Sequence, residues 1–498
     1  MLNIESEHMK KILLGLLVLS FILLLSGCDY ELTPRPTEEP PQETEIIPPI
    51  PSSNIESFDR LFNDDVFKRI TIKITKESWD TLNNQMIAYH QQYGNYRTDV
   101  YARADMVFED ASGSLEIKDI GFRTRGNLSR VKIQNSDGSL NLSHFKISFK
   151  EDFGLSELIE NKNRTAFEIE EIDMKFNRNQ DPTYLTEKYA MDLFQRFDVY
   201  AATTTLAQII IEIDGTSYVY GIYTLFEPID KLFFERRLPK NEADGDLYKS
   251  LWQQFGPASL LNNYPDRAIG IKDASKNYRP SYDLKNNKKT SDHSALKSFI
   301  SNINQLQGDT FKTYIEANLD VDMFLRYLAV GVVLGNPDDY RSNGNNYFLF
   351  QNDVTKKWMV IPYDYDHGLG QGWDGAPVFE NWSVNQDIYR WGNFSAHALG
   401  RSNPNILSDK ILSIRGYQEQ YELYLAELIS QPNLFNHQAF LNLYQSQKAI
   451  YDDYTQDSHF NQPHFGLRNT SWYFQTKINS ISSQIQYYQT HPNLRSVY

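Results

Sequence analysis

The sequence predicts an α+β chain in two lobes, a largely antiparallel sheet followed by a mainly helical second half. Three observations lead there. Between Val100 and Lys150 three apolar stretches keep the strand period of two, and residues 204–213, an Asp214-Gly215 turn and residues 218–226 read as a β-hairpin. Glu227-Pro228 then closes the strand-rich half, because proline blocks continuation of a strand. Beyond it, over 292–335 and 405–490, apolar residues recur at helical spacing, as in Phe324, Tyr327 and Leu328 or Tyr421, Tyr424, Leu425 and Leu428.

The chain opens with Lys10-Lys11 before a mostly apolar run over 12–25 that ends in Leu25-Ser26-Gly27-Cys28. A basic start, an apolar stretch too short to span a bilayer and a small-residue ending read as a secretory signal over 1–27. The Leu-Ser-Gly-Cys ending resembles a bacterial lipobox, which implies cleavage before Cys28, a diacylglycerol on its sulfur, and a lipoprotein anchored to the membrane outside the cytoplasm. The alternative is a buried hydrophobic helix with an incidental cysteine. Cys28 is the single cysteine, so no intrachain disulfide forms. Residues 28–56 are rich in Pro and Glu and poor in large apolar side chains, which makes them an extended spacer.

The first lobe, 57–226, begins with Ile70, Ile72 and Ile74 alternating as in a half-buried strand, after which Thr75 caps a short helix with Trp79, Leu82 and Met86 on one face. Strands follow at 101–108, 120–125 and 145–150, then a helix in which Leu185, Tyr189, Leu193 and Phe197 recur every fourth residue, then the hairpin. Residues 227–498 form the second lobe. With 498 residues, 41% of them hydrophobic, the chain can bury a large core. Its 49 basic against 64 acidic residues give a net charge of -15, which argues against nucleic acid as a partner and leaves room only for a locally basic groove.

The chemistry concentrates in two stretches, 337–348 and 358–368. Asp338 and Asp339 with Asn343, Asn345 and Asn346 precede an apolar run, and a second acidic pair, Asp364 and Asp366, ends another apolar strand. Two residues apart on a strand, Asp364 and Asp366 share a face, and like charges that close call for a cation between them. Carboxylate and carboxamide oxygens suit Mg²⁺, which is usually shared with substrate phosphates, so the pattern points to phosphoryl transfer. A plain polar loop is the other reading, since Asp, Asn, Ser and Gly favour turns.

Other parts of such a site have candidates. Arg125-Gly126-Asn127-Leu128-Ser129-Arg130 follows a strand, so backbone N–H groups can approach a phosphate while Arg123, Arg125 or Arg130 supplies charge. It reads equally as a strand-ending turn with solvated arginines. Lys146, between Phe145 and Ile147, points away from the core face, and Glu187 on the predicted helix can pair with it; both also suit an ordinary surface. His367 lies beside Asp366, yet no H-x-x-x-H pair and no usable thiol support zinc, and no G-x-x-x-x-G-K-[ST] phosphate loop is present.

These residues resemble the spore coat protein H (CotH) kinase family. The likeness is carried by Arg123-Thr124-Arg125-Gly126-Asn127-Leu128-Ser129, Lys146, Tyr220-Gly221-Ile222-Tyr223 leading to Glu227-Pro228-Ile229-Asp230, Gly245-Asp246-Leu247-Tyr248-Lys249, the 338–348 segment and Ile361-Pro362-Tyr363-Asp364-Tyr365-Asp366. It implies an atypical protein-kinase-like two-lobed fold that binds ATP with Mg²⁺ or Mn²⁺ and phosphorylates Ser or Thr of a protein, here of the envelope or spore coat. On that likeness Lys146, paired with Glu187, contacts the α- and β-phosphates, with Arg125, Gly126, Asn127 and Ser129 around them. Asp338 or Asp339 orients the acceptor hydroxyl, Asn345 or Asn346 takes a metal, and Asp364 or Asp366 holds the metal that bridges the phosphates. Glu227 is the hinge contact near adenine, and Lys249 supports phosphates. Family members usually carry Pro-Trp-Asp where this chain has Pro362-Tyr363-Asp364. The alternatives are a non-catalytic surface-binding or adhesion protein on the same fold and an envelope hydrolase using paired carboxylates.

Overall fold

The computed structural model describes residues 53–127, 129–371, 383–391 and 405–495. The signal segment, most of the spacer, Cys28 and Leu128 lie outside the described residues. In chain order the strands are β1 Ser53–Ile55, β2 Arg69–Ile74, β3 Ala102–Asp110, β4 Gly113–Arg125, β5 His144–Ser148, β6 Arg164–Ala166, β7 Glu171–Phe176, β8 Thr204–Ile213, β9 Thr216–Phe226, β10 Leu247–Ser250, β11 Ile269–Gly270, β12 Tyr282–Leu284, β13 Tyr347–Gln351 and β14 Trp358–Pro362.

Seven strands close a barrel in the order β2-β3-β4-β5-β7-β9-β8. Every pairing is antiparallel except the parallel β2–β8 seam that shuts it, so the expected antiparallel sheet is curled onto itself and has no free edge. Ile70, Ile72, Phe108, Phe122, Phe145, Ile147, Ile172 and Met174 are fully buried in its core. After β2, Thr75 turns the chain into the helix Lys76–Tyr93, its Oγ1 accepting from Ser78 N at 3.1 Å, and Gly94, at φ +71°, ends it. Trp79, Leu82 and Met86 share the buried face of that helix, which runs 18 residues and is longer than the short helix expected from sequence. Asp214 and Gly215, both at positive φ, make the two-residue turn that joins β8 to β9.

The second half is less purely helical than the sequence suggests. It holds a five-stranded sheet, β11-β12-β10-β13-β14, among its helices. These strands run two to five residues, too short for a period of two to show against the helical spacing around them. The helix Val321–Leu334 is its spine, with Phe324 through Leu334 all buried except Arg326, as a helix apolar on every side requires. It packs along the helix Arg415–Ser430 and beneath β14.

The helix Thr186–Arg196 joins the two halves. Phe194 stands edge-on to Tyr365 with ring centres 4.9 Å apart, and the Tyr189 hydroxyl donates to Leu434 O at 2.9 Å. Gly335 then ends the spine helix at φ +69°, where a Cβ would come within 2.2 Å of both the Ser383 and Tyr473 hydroxyls. Gly335→Ala is expected to lower stability by about 1–3 kcal/mol through left-handed strain and that clash. Urea unfolding measures it, and an unchanged midpoint would mean the helix end relaxes freely.

Candidate active site

Alternation on β4, β5 and β7 sends Phe122, Phe145, Ile147, Ile172 and Met174 into the barrel. The same alternation places Arg123, Arg125, Lys146, Asp173 and Lys175 on the opposite face. Across that face Arg123 lies opposite Lys146, and Lys146 opposite Asp173. Lys146 Nζ sits 3.2 Å from Asp173 and also bonds Glu171, while Arg125 Nε is 3.1 Å from Asp173 and its Nη2 donates to the Tyr363 hydroxyl at 2.6 Å.

Lys175 is where the halves meet. Its ammonium lies 2.5 Å from Glu187 Oε2, bonds Asp364 Oδ1, and stands 3.6 Å from Asp366 Oδ2. The side chains of Lys175 and Glu187 are each only 8% exposed, whereas the two aspartates face the rim. Glu187 is held in the first turn of its helix by Asp181, whose carboxylate accepts from Thr183 N at 3.0 Å and from the Thr186 hydroxyl at 2.7 Å. Asp364 reaches Lys175 from a left-handed conformation, φ +61°, just past β14.

Electrostatics fit a cation site. Burial pushes the Glu187 carboxyl up to about 8 against the pull of Lys175, and the neighbouring Asp366 and Asp364 add to the rise. Burial also works against the charges on Lys175 and Asp364. The three carboxylates nonetheless raise Lys175 well above its ordinary value, and Lys175, then Arg125, holds Asp364 below the usual carboxylate range. Ligand oxygens of Glu187, Asp364 and Asp366 lie within 4.8 Å of one another, and Asp366 Oδ1 is buried with no hydrogen-bond partner among the described residues. Such hard oxygen donors fit Mg²⁺ or Mn²⁺. A cavity of about 40 Å³ against Lys175, Glu187 and Asp366 has room for a water or an ion.

The loop after the spine helix separates two adjacent aspartates by role. Asp338 accepts from the carboxamides of Asn343 at 2.7 Å, Asn345 at 2.9 Å and Asn346 at 3.0 Å, and burial raises its carboxyl to about 6. Asp339 is 1% exposed and structural. It caps the short helix Tyr340–Asn343, accepting from Ser342 N at 2.7 Å, and also accepts from the Tyr365 hydroxyl at 3.2 Å. Asn345 Oδ1 accepts from Trp252 N at 2.7 Å, whereas Asn346 Oδ1 makes no hydrogen bond among the described residues.

Several sequence expectations change. Glu187 pairs with Lys175, and Lys146 is tied to Glu171 and Asp173 instead, because β7 rather than β5 runs into the Glu187 helix. Asp364 and Asp366 do not sit on a strand, which ends at Pro362; the left-handed turn at Asp364 brings them together. The Glu227 carboxylate is buried under Arg236 and Arg237, both at 2.6 Å, and accepts from Thr203 N, so its side chain is taken up inside the protein and does not face a ligand. Lys249 pairs with no carboxylate among the described residues; its ammonium stands 3.8 Å from the Tyr363 ring centre, and burial, then Arg125, pushes it well below the ordinary lysine value. Gly126, at φ +107°, turns the chain where a Cβ would lie 2.7 Å from Ser129 Oγ, and Asn127 Oδ1 accepts from Arg97. The expected lipidation at Cys28 lies outside the described residues.

Sequence reasoning missed Lys175, and it placed Asn343 only within the polar cluster, without a role. Met174-Lys175-Phe176 carries the same strand signal as Phe145-Lys146-Ile147, and its place just before the Glu187 helix was the clue. Asn343 lies five residues after Asp338, the Asp-to-Asn spacing of a kinase catalytic loop.

Residues 122–498, well over half of the chain, match the family model described as CotH kinase protein, and the chain belongs to that family. Inner spore coat protein H of Bacillus subtilis (strain 168) is 26% identical over 195 residues, 39% of this chain and 48% of the relative, so the match spans about half of that protein. Among solved structures, the Helicobacter pylori proinflammatory kinase CtkA is 11% identical with a TM-score of 0.24, over 70% of this chain and 93% of that one. A likeness that loose adds nothing to the assignment.

Asp339→Ala removes a helix cap and leaves the buried Tyr365 hydroxyl without its acceptor. It should cost about 1–3 kcal/mol in urea unfolding. Unaltered stability would show that the loop is held without Asp339.

Proposed function

We propose that this chain is an atypical protein kinase with a two-lobed, kinase-like arrangement, transferring the γ-phosphoryl of ATP to a Ser or Thr hydroxyl of a protein with Mg²⁺ or Mn²⁺. The observation that carries this reading is the convergence of Lys175, Glu187, Asp364 and Asp366 beside the Asp338 loop. Membership of the CotH kinase protein family supports it.

Each group then has a task. Lys175, aimed by Glu187, meets the α- and β-phosphates, with Arg125 and Lys249 adding charge from the Tyr363 side. Asp364, Asp366 and the carboxamide oxygen of Asn343 or Asn346 would hold the metal, which would supply positive charge to the phosphates. Asp338 accepts the proton of the acceptor hydroxyl as its oxygen bonds the γ-phosphorus and the bond to ADP breaks.

The leader and Leu-Ser-Gly-Cys motif support a lipid-anchored enzyme outside the cytoplasmic membrane. Its acceptor is then a protein of the envelope or spore coat, in keeping with the coat relative.

Full-length protein with γ-labelled ATP and Mn²⁺ or Mg²⁺ is expected to label protein Ser or Thr, and EDTA to stop it. Lys175→Met, Asp338→Asn and Asp364→Asn should each cut the rate by about a hundredfold or more, while Lys146→Met should cost far less. Full activity in Lys175→Met would refute the assignment. No label and no melting shift with ATP and metal would leave a binding protein.

A further inference from the structure

Beside the carboxylate cluster lies a patch of opposite character. Arg123 Nη1, Arg130 Nη2 and Lys272 Nζ surround Asp99, at 3.5, 3.7 and 2.5 Å. Two more guanidinium groups join from the same segment and its neighbour. Arg97 donates to Gln253 Oε1 at 3.2 Å and to Asn127 Oδ1, and Arg279 donates to Arg97 O and to the Tyr89 hydroxyl at 3.3 Å. Neither has a carboxylate partner among the described residues.

Three of the five cations thus share the one carboxylate of Asp99, and Arg97 and Arg279 have none among the described residues. Of the acids nearby, Glu171 bonds Lys146 and Asp283 bonds Lys285, and both also act on this cluster, Glu171 on Arg123 and Asp283 on Lys272. Arg130 and Arg279 are more than nine-tenths buried, and their Nε atoms, with that of Arg123, have no hydrogen-bond partner among the described residues. Burial, then Arg123, pushes Arg130 down to about 9, and burial, then Lys285, pushes Lys272 down to about 7. Arg130 and Arg279 are buried cations with one shared carboxylate and none respectively, an arrangement that is costly unless an anion joins them.

We propose that Arg97, Arg123, Arg130, Lys272 and Arg279 form a second anion site that takes a phosphate-class dianion, separate from the Lys175 centre. Forked guanidinium donors on fixed backbone suit phosphate oxygens. The separation follows from side-chain direction. Arg125 turns to Asp173 and the Tyr363 hydroxyl, next to Asp364, whereas Arg123 and Arg130 turn to Asp99. The dianion comes either from free phosphate or from a phosphorylated Ser of a bound peptide.

The test uses the full-length protein without divalent metal. Inorganic phosphate, a phosphoserine peptide and its unphosphorylated twin are titrated by calorimetry at matched ionic strength, with melting followed in parallel. Phosphate should bind, and binding should persist in Lys175→Met but fall at least about tenfold in Arg97→Gln, whose half-buried side chain makes it the mildest of the cluster to alter. Asp99→Asn should bind phosphate roughly tenfold tighter or more, because it removes the competing anion. Tighter binding of the phosphoserine peptide than of phosphate assigns the site to a protein ligand; equal or weaker binding assigns it to free phosphate. The proposal is overturned if wild type shows no phosphate binding beyond matched salt, or if Lys175→Met loses binding as Arg97→Gln does. It is overturned equally if Asp99→Asn only melts earlier with no gain in affinity. The reading of the Lys175 centre stands or falls separately, since no metal or ATP enters this test.

Discussion

One ammonium organises the site. Lys175 comes from a barrel strand, Glu187 from the helix that leaves the barrel, and Asp364 and Asp366 from the turn after the last strand of the second sheet. Three carboxylates do not crowd together without a cation, and a lysine this buried does not stay charged without them. Deleting one partner of a buried pair typically costs about 3–5 kcal/mol, because the other is stranded. The interaction therefore locks the barrel to the second half while it assembles the groups that chemistry needs.

Packing beneath it fixes the geometry. Phe194 lies seven residues beyond Glu187, on the same helix face, and rests against Tyr365, which sits between Asp364 and Asp366. The Tyr365 hydroxyl in turn donates to Asp339, the cap that sets the turn in which Asp338 gathers its three carboxamides. A single chain of contacts thus runs from the Glu187 helix through an aromatic pair to the Asp338 loop. It explains why two neighbouring aspartates differ. One is bonded to the backbone and a tyrosine, and the other, also buried, to three carboxamides.

Much of this was legible in residues alone, and the failures share a cause. The Asp214-Gly215 hairpin, the Thr75 cap and the Asp338 and Asp364 segments carry local signals, since turn chemistry and alternation depend on near neighbours. Lys146 and Lys175 are indistinguishable at that level, each flanked by apolar residues in a strand. Which one meets Glu187 is decided by strand order in the closed barrel, a long-range property. Asp364 and Asp366 were paired correctly as neighbours but for the wrong reason, because a single left-handed residue, not strand alternation, turns them together. The five-stranded sheet in the second half escaped since its strands are short and lie among strongly helical segments.

The distribution of charge is the last consequence of the fold. A chain with fifteen more acidic than basic residues places Arg123, Arg125, Lys146 and Lys175 on one face of three adjacent barrel strands, and sets Lys249 against that face through Tyr363. Carboxylates are set among these cations, Glu171 and Asp173 beside Lys146 and Arg125, and Glu187, Asp364 and Asp366 around Lys175. The carboxylates among them then act as placeholders as well as ligands. Asp173 keeps Arg125 and Lys146 charged and ordered, and the Asp364 pair does the same for Lys175, until a phosphate-bearing ligand offers better partners. A cleft built this way is stable when empty, because each internal ion pair holds its cation in a fixed position.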